Sequence, residues 1–199
     1  SKTSAYKFHM PSSAYQWSKS FLLENFDLIV NSEREVDVFG KFVMYGIFGY
    51  RNQIIHTLNK KIPEICFLRN DQGIKSYLEK SDYQKLEEWT SNKWHWVVPT
   101  LNDLSTRVFD SLIAGVGVIL PIDFKSFYEL KDLDDRDVIW YNTLDILDPN
   151  RVLLLANEKF KNCGKDGVIR RHRFALDFHN IDNRIRTMLS IAKSVLSDS

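Results

Sequence analysis

The chain has 199 residues, 44% of them hydrophobic and 27% charged, with a formal net charge of +1. That composition suits one packed domain, or one domain with an extension, and the even charge excludes a global basic field of the kind that advertises nucleic-acid binding. The longest apolar stretches, such as Leu112 to Ile122, are too short to cross a bilayer, so no membrane span is expected.

Residues 1 to 13 are polar and turn-prone, with Pro11-Ser-Ser13 as punctuation. The start Ser1-Lys-Thr-Ser-Ala5 lacks both a signal-peptide apolar core and a Met, which reads as an excised fragment or a processed chain. Ala14 to Leu23 is helix-compatible, and Asp27 to Asn31 reads as a short strand. Phe42 to Gly46 reads as a second strand, followed by a glycine-containing turn and a helix from Tyr50 to about Lys61 that opens with Arg51. Strand, glycine turn and helix is the layout of a phosphate-approach loop, in which Gly46 and Gly49 let the backbone come close to a ligand. A turn that needs glycine only for packing gives the same pattern. Glu64 to Leu68 completes a first β-α-β unit, which favours a parallel sheet with right-handed crossovers. Cys66 in this apolar run and Cys163 in a polar loop read as reduced thiols of a cytoplasmic chain, not as a disulfide framework.

Gln72 to Asn92 is expected to be helical with a break near Lys80-Ser81. Trp94 to Val98 is strand-like and ends at Pro99. Trp89, Trp94 and Trp96 offer either core packing or a surface on which a nucleobase stacks. Next comes Asn102 to Phe124, the stretch that carries most information. Ser105 can cap a helix in which Val108, Phe109, Leu112 and Ile113 share one face and Arg107, Asp110 and Ser111 the opposite one. Gly115 stops it, and Val116 to Ile122 reads as a buried parallel strand. An Arg and a carboxylate are thereby fixed near a helix N-terminus, which suits a phosphate or diphosphate. Alone, a helix followed by a buried strand occurs in any α/β domain.

Asp123-Phe124 opens a loop and a short helix to Leu130. Asp135 to Asp137 is a turn, Val138 to Tyr141 a strand, and Asp148-Pro149 a helix start running to about Phe160. Asn162 to Gly167 reads as a loop, and Val168 to Leu196 as mostly helical. Arg170 to Arg173 reads as a solvated helix face, with contact to DNA phosphates as the alternative. The histidines His9, His56, His95, His172 and His179 are scattered and form no metal-like pair, which argues against zinc.

Ser105-Thr-Arg-Val-Phe-Asp-Ser-Leu-Ile-Ala-Gly115 resembles the S-x-R-x-(F/W)-E-x-x-x-x-G segment in the nucleotide-binding half of GT-B glycosyltransferases, and is most similar to that of phage DNA glucosyltransferases of the β-glucosyl type. The resemblance implies a Rossmann-like α/β fold, a parallel sheet flanked by helices, with C-terminal helices. On that reading residues 41–199 form the donor-binding domain and residues 1–40 an extension or the remnant of a preceding domain. It implies that Arg107 and Asp110 hold the UDP part of a UDP-sugar, although Asp110 is one methylene shorter than the family's Glu. It also implies roles for Ser105, for Asp123 and Phe124 near the donor sugar, and for Gly46 with Arg51 at the diphosphate. The second carboxylate that retaining GT-B enzymes often carry has no counterpart at Gly117-Val-Ile119.

The function implied is transfer of a sugar, glucose first, from a UDP-sugar to an acceptor such as modified-base phage DNA or a glycan. No tightly bound cofactor is implied, and the catalytic base is expected in a separate N-terminal acceptor domain. The alternative is a non-catalytic Rossmann-like module that binds a nucleotide or a protein.

Overall fold

The computed structural model describes residues 12–68, 70–101 and 103–197. The expectation of a turn-prone stretch at residues 1 to 11 lies outside them. Five parallel strands form one sheet: β1 (Val36–Val43), β2 (Ile65–Leu68), β3 (Asn92–Trp96), β4 (Gly117–Pro121) and β5 (Val138–Tyr141), in the order β2-β1-β3-β4-β5. The fold is α/β and Rossmann-like. From β1 the chain crosses to β2 on one side, then returns to β3 on the other side of β1. The crevice at the carboxyl ends of β1 and β3 is therefore the place where an open α/β sheet receives ligands.

Side-chain alternation along the strands divides the core. Val38, Phe42, Trp94, Trp96, Ile119, Ile139 and Tyr141 face the helices α3 (Gly49–Asn59) and α7 (Thr143–Leu147) and the first half of α8 (Asn150–Phe174). Phe39, Val97, Val118, Leu120 and Val138 face the other layer. That layer is built from α1 (Lys19–Glu24), α2 (Phe26–Asn31), α5 (Asp82–Thr90), α6 (Thr106–Ile113) and the end of α8. Helix α4 (Asn70–Glu79) precedes α5, and α9 (Ile181–Ser197) ends the chain. The three tryptophans are core residues, each 3% exposed or less.

Several sequence expectations are corrected. Asp27 to Asn31 belongs to α2, not a strand, because a short apolar run equally satisfies a helix that buries Ile29, and partly Leu28, in the core it shares with α5 and α8. β1 starts at Val36, six residues before Phe42, so a boundary at residue 40 falls inside a central strand. Ala14, Trp17, Leu22 and Ile29, all upstream of it, pack into the same core as α6. The loop expected at Asn162 to Gly167 shrinks to a kink at Gly164, where φ of 49° and ψ of −143° break one long helix. Nor is Arg170 to Arg173 a solvated face. Arg171 is fully buried, and Arg170 and Arg171 both bond the buried Asp137, at 2.6 and 3.0 Å.

Buried basic side chains fix α6. Arg34 donates to the Ala114 carbonyl at 3.0 Å, Arg171 to Gly115 at 2.8 Å, and His172 Nδ1 lies 2.5 Å from the Ile113 carbonyl. The carbonyls a helix leaves unpaired at its C-terminus are thus taken by basic side chains, which also suits the helix dipole. Gly115, at φ +73°, then turns the chain into β4. Val108, Phe109, Leu112 and Ile113 are at most 1% exposed, each contributing roughly 2 kcal/mol by burial. Because α6 runs back against the strands it joins, its N-terminus opens at their carboxyl edge, beside the crevice.

Candidate functional site

Two adjoining cavities occupy that edge. The larger, about 580 Å³, lies over the ends of β3, β4 and β5 and reaches the turn before α3. Its walls are mostly apolar, with Tyr50, Ile54, Val98, Phe124, Tyr141 and Ile146 among them, and its polar groups include Asp123, Asn142 and Thr143. The smaller, about 160 Å³, sits in the β1/β3 crevice between Val43, His95, Thr100, Asp103, Ser105 and Arg107. Arg51 lines both. A cavity of the larger size is within the usual range for a small-molecule site.

Arg51 is the strut between them. Its Nε donates to the Val98 carbonyl at 3.2 Å and one terminal nitrogen to the Val43 carbonyl at 2.9 Å, which ties the end of β1 to the chain leaving β3. Its guanidinium lies 5.2 Å from the Phe42 ring centroid and 5.4 Å from Tyr45, within cation–π range. Burial lowers its pKa, with the Arg107 charge acting the same way and Tyr45 opposing. Arg107 is half-buried, and its guanidinium has no hydrogen-bond partner among the described residues. Two cations therefore share one crevice, which Asp103 also lines, with no carboxylate among the described residues bonded to either. Ser105 caps α6 by accepting the Arg107 N–H at 3.3 Å.

His95 completes the small cavity. The ring is 1% exposed and stacks on Phe39 at 4.8 Å between centroids. Burial, helped by the Arg107 charge, pushes its pKa down to about 3, so the imidazole is neutral at ordinary pH. Leu101, at the lip of the larger cavity, holds φ of 57° and is the only non-glycine among the described residues with positive φ. Backbone held in that region costs about 1–3 kcal/mol and concentrates at ligand sites.

Comparison of the chain with protein families, curated proteins and solved structures finds no match.

The structure brings Arg51, Ser105 and Arg107 together around the small cavity, and Asp123 and Phe124 into the wall of the larger one. Gly46 sits in the exposed turn after β1 and lines neither; Gly49 lines the larger. Asp110 is not at the crevice. It is 2% exposed, and its Oδ1 accepts the backbone N–H groups of Tyr15 and Gln16 at 3.2 and 3.4 Å. The chain's own N-terminal strap thus holds the carboxylate that the resemblance assigns to a ligand. Burial raises the Asp110 pKa to about 7, against the opposing pull of those two amides and of Arg107.

Sequence reasoning missed His95 as a site residue. Its signal was the Trp94-His-Trp96 alternation, which sends the ring to the opposite sheet face from both tryptophans. Among the described residues no group of three His, Cys, Asp or Glu is placed to hold a metal, and no helix is long and apolar enough to cross a membrane.

Proposed function

We propose that this chain is the nucleotide-sugar-binding half of a GT-B-type glycosyltransferase, taking a UDP-sugar in the crevice at the carboxyl edge of the sheet. The observation that carries the reading is the Arg107 guanidinium, without a hydrogen-bond partner among the described residues, beside Arg51 and at the N-terminus of a helix whose far end is locked by buried cations. Such a place holds the diphosphate by charge-assisted hydrogen bonds and helix N–H groups, and stabilises it as it departs. The apolar larger cavity then takes the rest of the nucleotide, with Asp123 and Asn142 as polar contacts. A base on a separate acceptor-binding domain deprotonates the acceptor hydroxyl.

One observation favours a second reading, a non-catalytic module that keeps a phosphate site. Asp110, the carboxylate expected to bind the ribose, is occupied by the backbone amides of Tyr15 and Gln16.

Calorimetry with UDP and UDP-glucose tests the proposal. Saturable binding is expected, and Arg107→Ala should weaken it by roughly 10- to 100-fold through loss of a charged hydrogen-bond donor. Absence of heat at millimolar UDP and UDP-glucose removes the UDP-sugar reading.

A further inference from the structure

Within the crevice, His95 imposes a condition on the ligand beyond negative charge. Ser111, buried on α6, lies between two groups: its Oγ is 2.6 Å from the Arg107 carbonyl and 2.7 Å from His95 Nδ1. A carbonyl only accepts, so the single Ser111 proton goes to Arg107. His95 must then donate its Nδ1–H to Ser111 Oγ for both contacts to be favourable. That fixes the tautomer: Nε2 carries no proton. This nitrogen is buried and has no partner among the described residues. Phe39 and Phe42 stack with the ring, Trp89 meets it at 83°, Ser111 takes Nδ1, and the residue lines the small cavity.

We propose that the small cavity takes a hydroxyl-bearing phosphate ester, its phosphoryl oxygens on Arg107 and the α6 N-terminus and its hydroxyl donating to His95 Nε2. The proposal rests on reading this crevice as a phosphate site and adds a polarity to it. A bare oxyanion offers only acceptors, which suit the guanidinium and helix N–H groups but leave the buried imidazole nitrogen facing another acceptor. A sugar or nucleoside phosphate carries both kinds of group within a few bonds. The ring holds this role across the whole physiological range, because burial keeps it neutral.

Nitrogen-15 NMR of the histidine rings, with calorimetry on the same samples, tests this. In the free protein His95 should show a protonated Nδ1 and an unprotonated Nε2. Glucose 1-phosphate or UDP-glucose should move the Nε2 resonance upfield, as a nitrogen that accepts a hydrogen bond does, while sulfate at equal saturation should leave it in place. His95→Phe, which retains a ring among Phe39, Phe42 and Trp89, should weaken glucose 1-phosphate binding roughly five- to tenfold and sulfate binding less than about twofold. A protonated Nε2 in the free protein, an Nε2 unmoved by either hydroxyl-bearing ligand, equal movement with sulfate, or no binding of any of the three overturns the inference. Glucose 1-phosphate binding that moves Nε2, with no binding of UDP-glucose, upholds the inference and removes the UDP-sugar reading.

Discussion

Asp110→Asn isolates the energetics of the N-terminal strap. The variant keeps a side-chain carbonyl oxygen for the Tyr15 and Gln16 amides but has nothing to titrate. In the wild type the folded carboxyl, raised to about 7 from its usual 3.8, holds a proton that the unfolded chain has already released. Stability rises with pH only where the unfolded state binds more protons, and here the folded state binds more. The Asp110 contribution is therefore full below pH 3.8 and is lost as pH rises to 7. At about 1.4 kcal/mol per pH unit the whole loss is roughly 4 kcal/mol, of which roughly 3 falls between pH 5 and pH 8. The buried rings of His95, His172 and His179, whose pKa values burial lowers, act in the opposite sense. Their contribution is present above pH 6.5 and lost as pH falls. They are common to both proteins and cancel in the difference. Urea unfolding followed by tryptophan fluorescence at pH 5, 6, 7 and 8 measures it. The variant should gain roughly 3 kcal/mol over wild type from pH 5 to pH 8, most of it below pH 7. A difference flat to within roughly 0.5 kcal/mol would mean that the carboxyl is hydrated and titrates normally, which refutes the argument.

Three further outcomes follow from the packing. Asp137→Ala leaves Arg171 buried without its counter-charge and should cost about 3–5 kcal/mol in chemical denaturation. Gly115→Ala places a Cβ 2.5 Å from Val168 Cγ1 at φ +73°, and should lose at least about 2 kcal/mol, a drop of roughly 4–8 °C in Tm. Arg51→Ala removes the two bonds that tie Val43 to Val98, whereas Arg107→Ala removes none between described residues. The first should lower Tm by several degrees, and the second should leave it within roughly 1 °C while weakening nucleotide binding.

Much of this fold was legible because local rules and global packing agree. Ser105 caps α6, Gly115 ends it, and the apolar run after it is the interior strand β4. Reading failed where the deciding partner is distant in sequence. Asp110 shares a helix face with Arg107, and periodicity places both there. It does not reveal that residues 15 and 16 return to cover one and leave the other in the crevice. Arg171 looked solvated for the same reason, since its partners Asp137 and Gly115 lie 34 and 56 positions away. Asp27 to Asn31 failed differently: five residues are too few to separate a half-buried helix from a strand.

The cations of α8 do one more thing. Two carbonyls of β5 that point away from the sheet, those of Val138 and Trp140, accept Lys159 at 2.8 Å and Arg151 at 3.1 Å. Val138 and Trp140 are the alternate residues whose main chain a neighbouring β-segment would address. A peptide seeking to extend this border, from another molecule or a second copy, meets acceptors already engaged and a charged helix in its path. The chain thus closes one border of its sheet with side chains in place of a sixth strand, and so resists edge-to-edge self-association there.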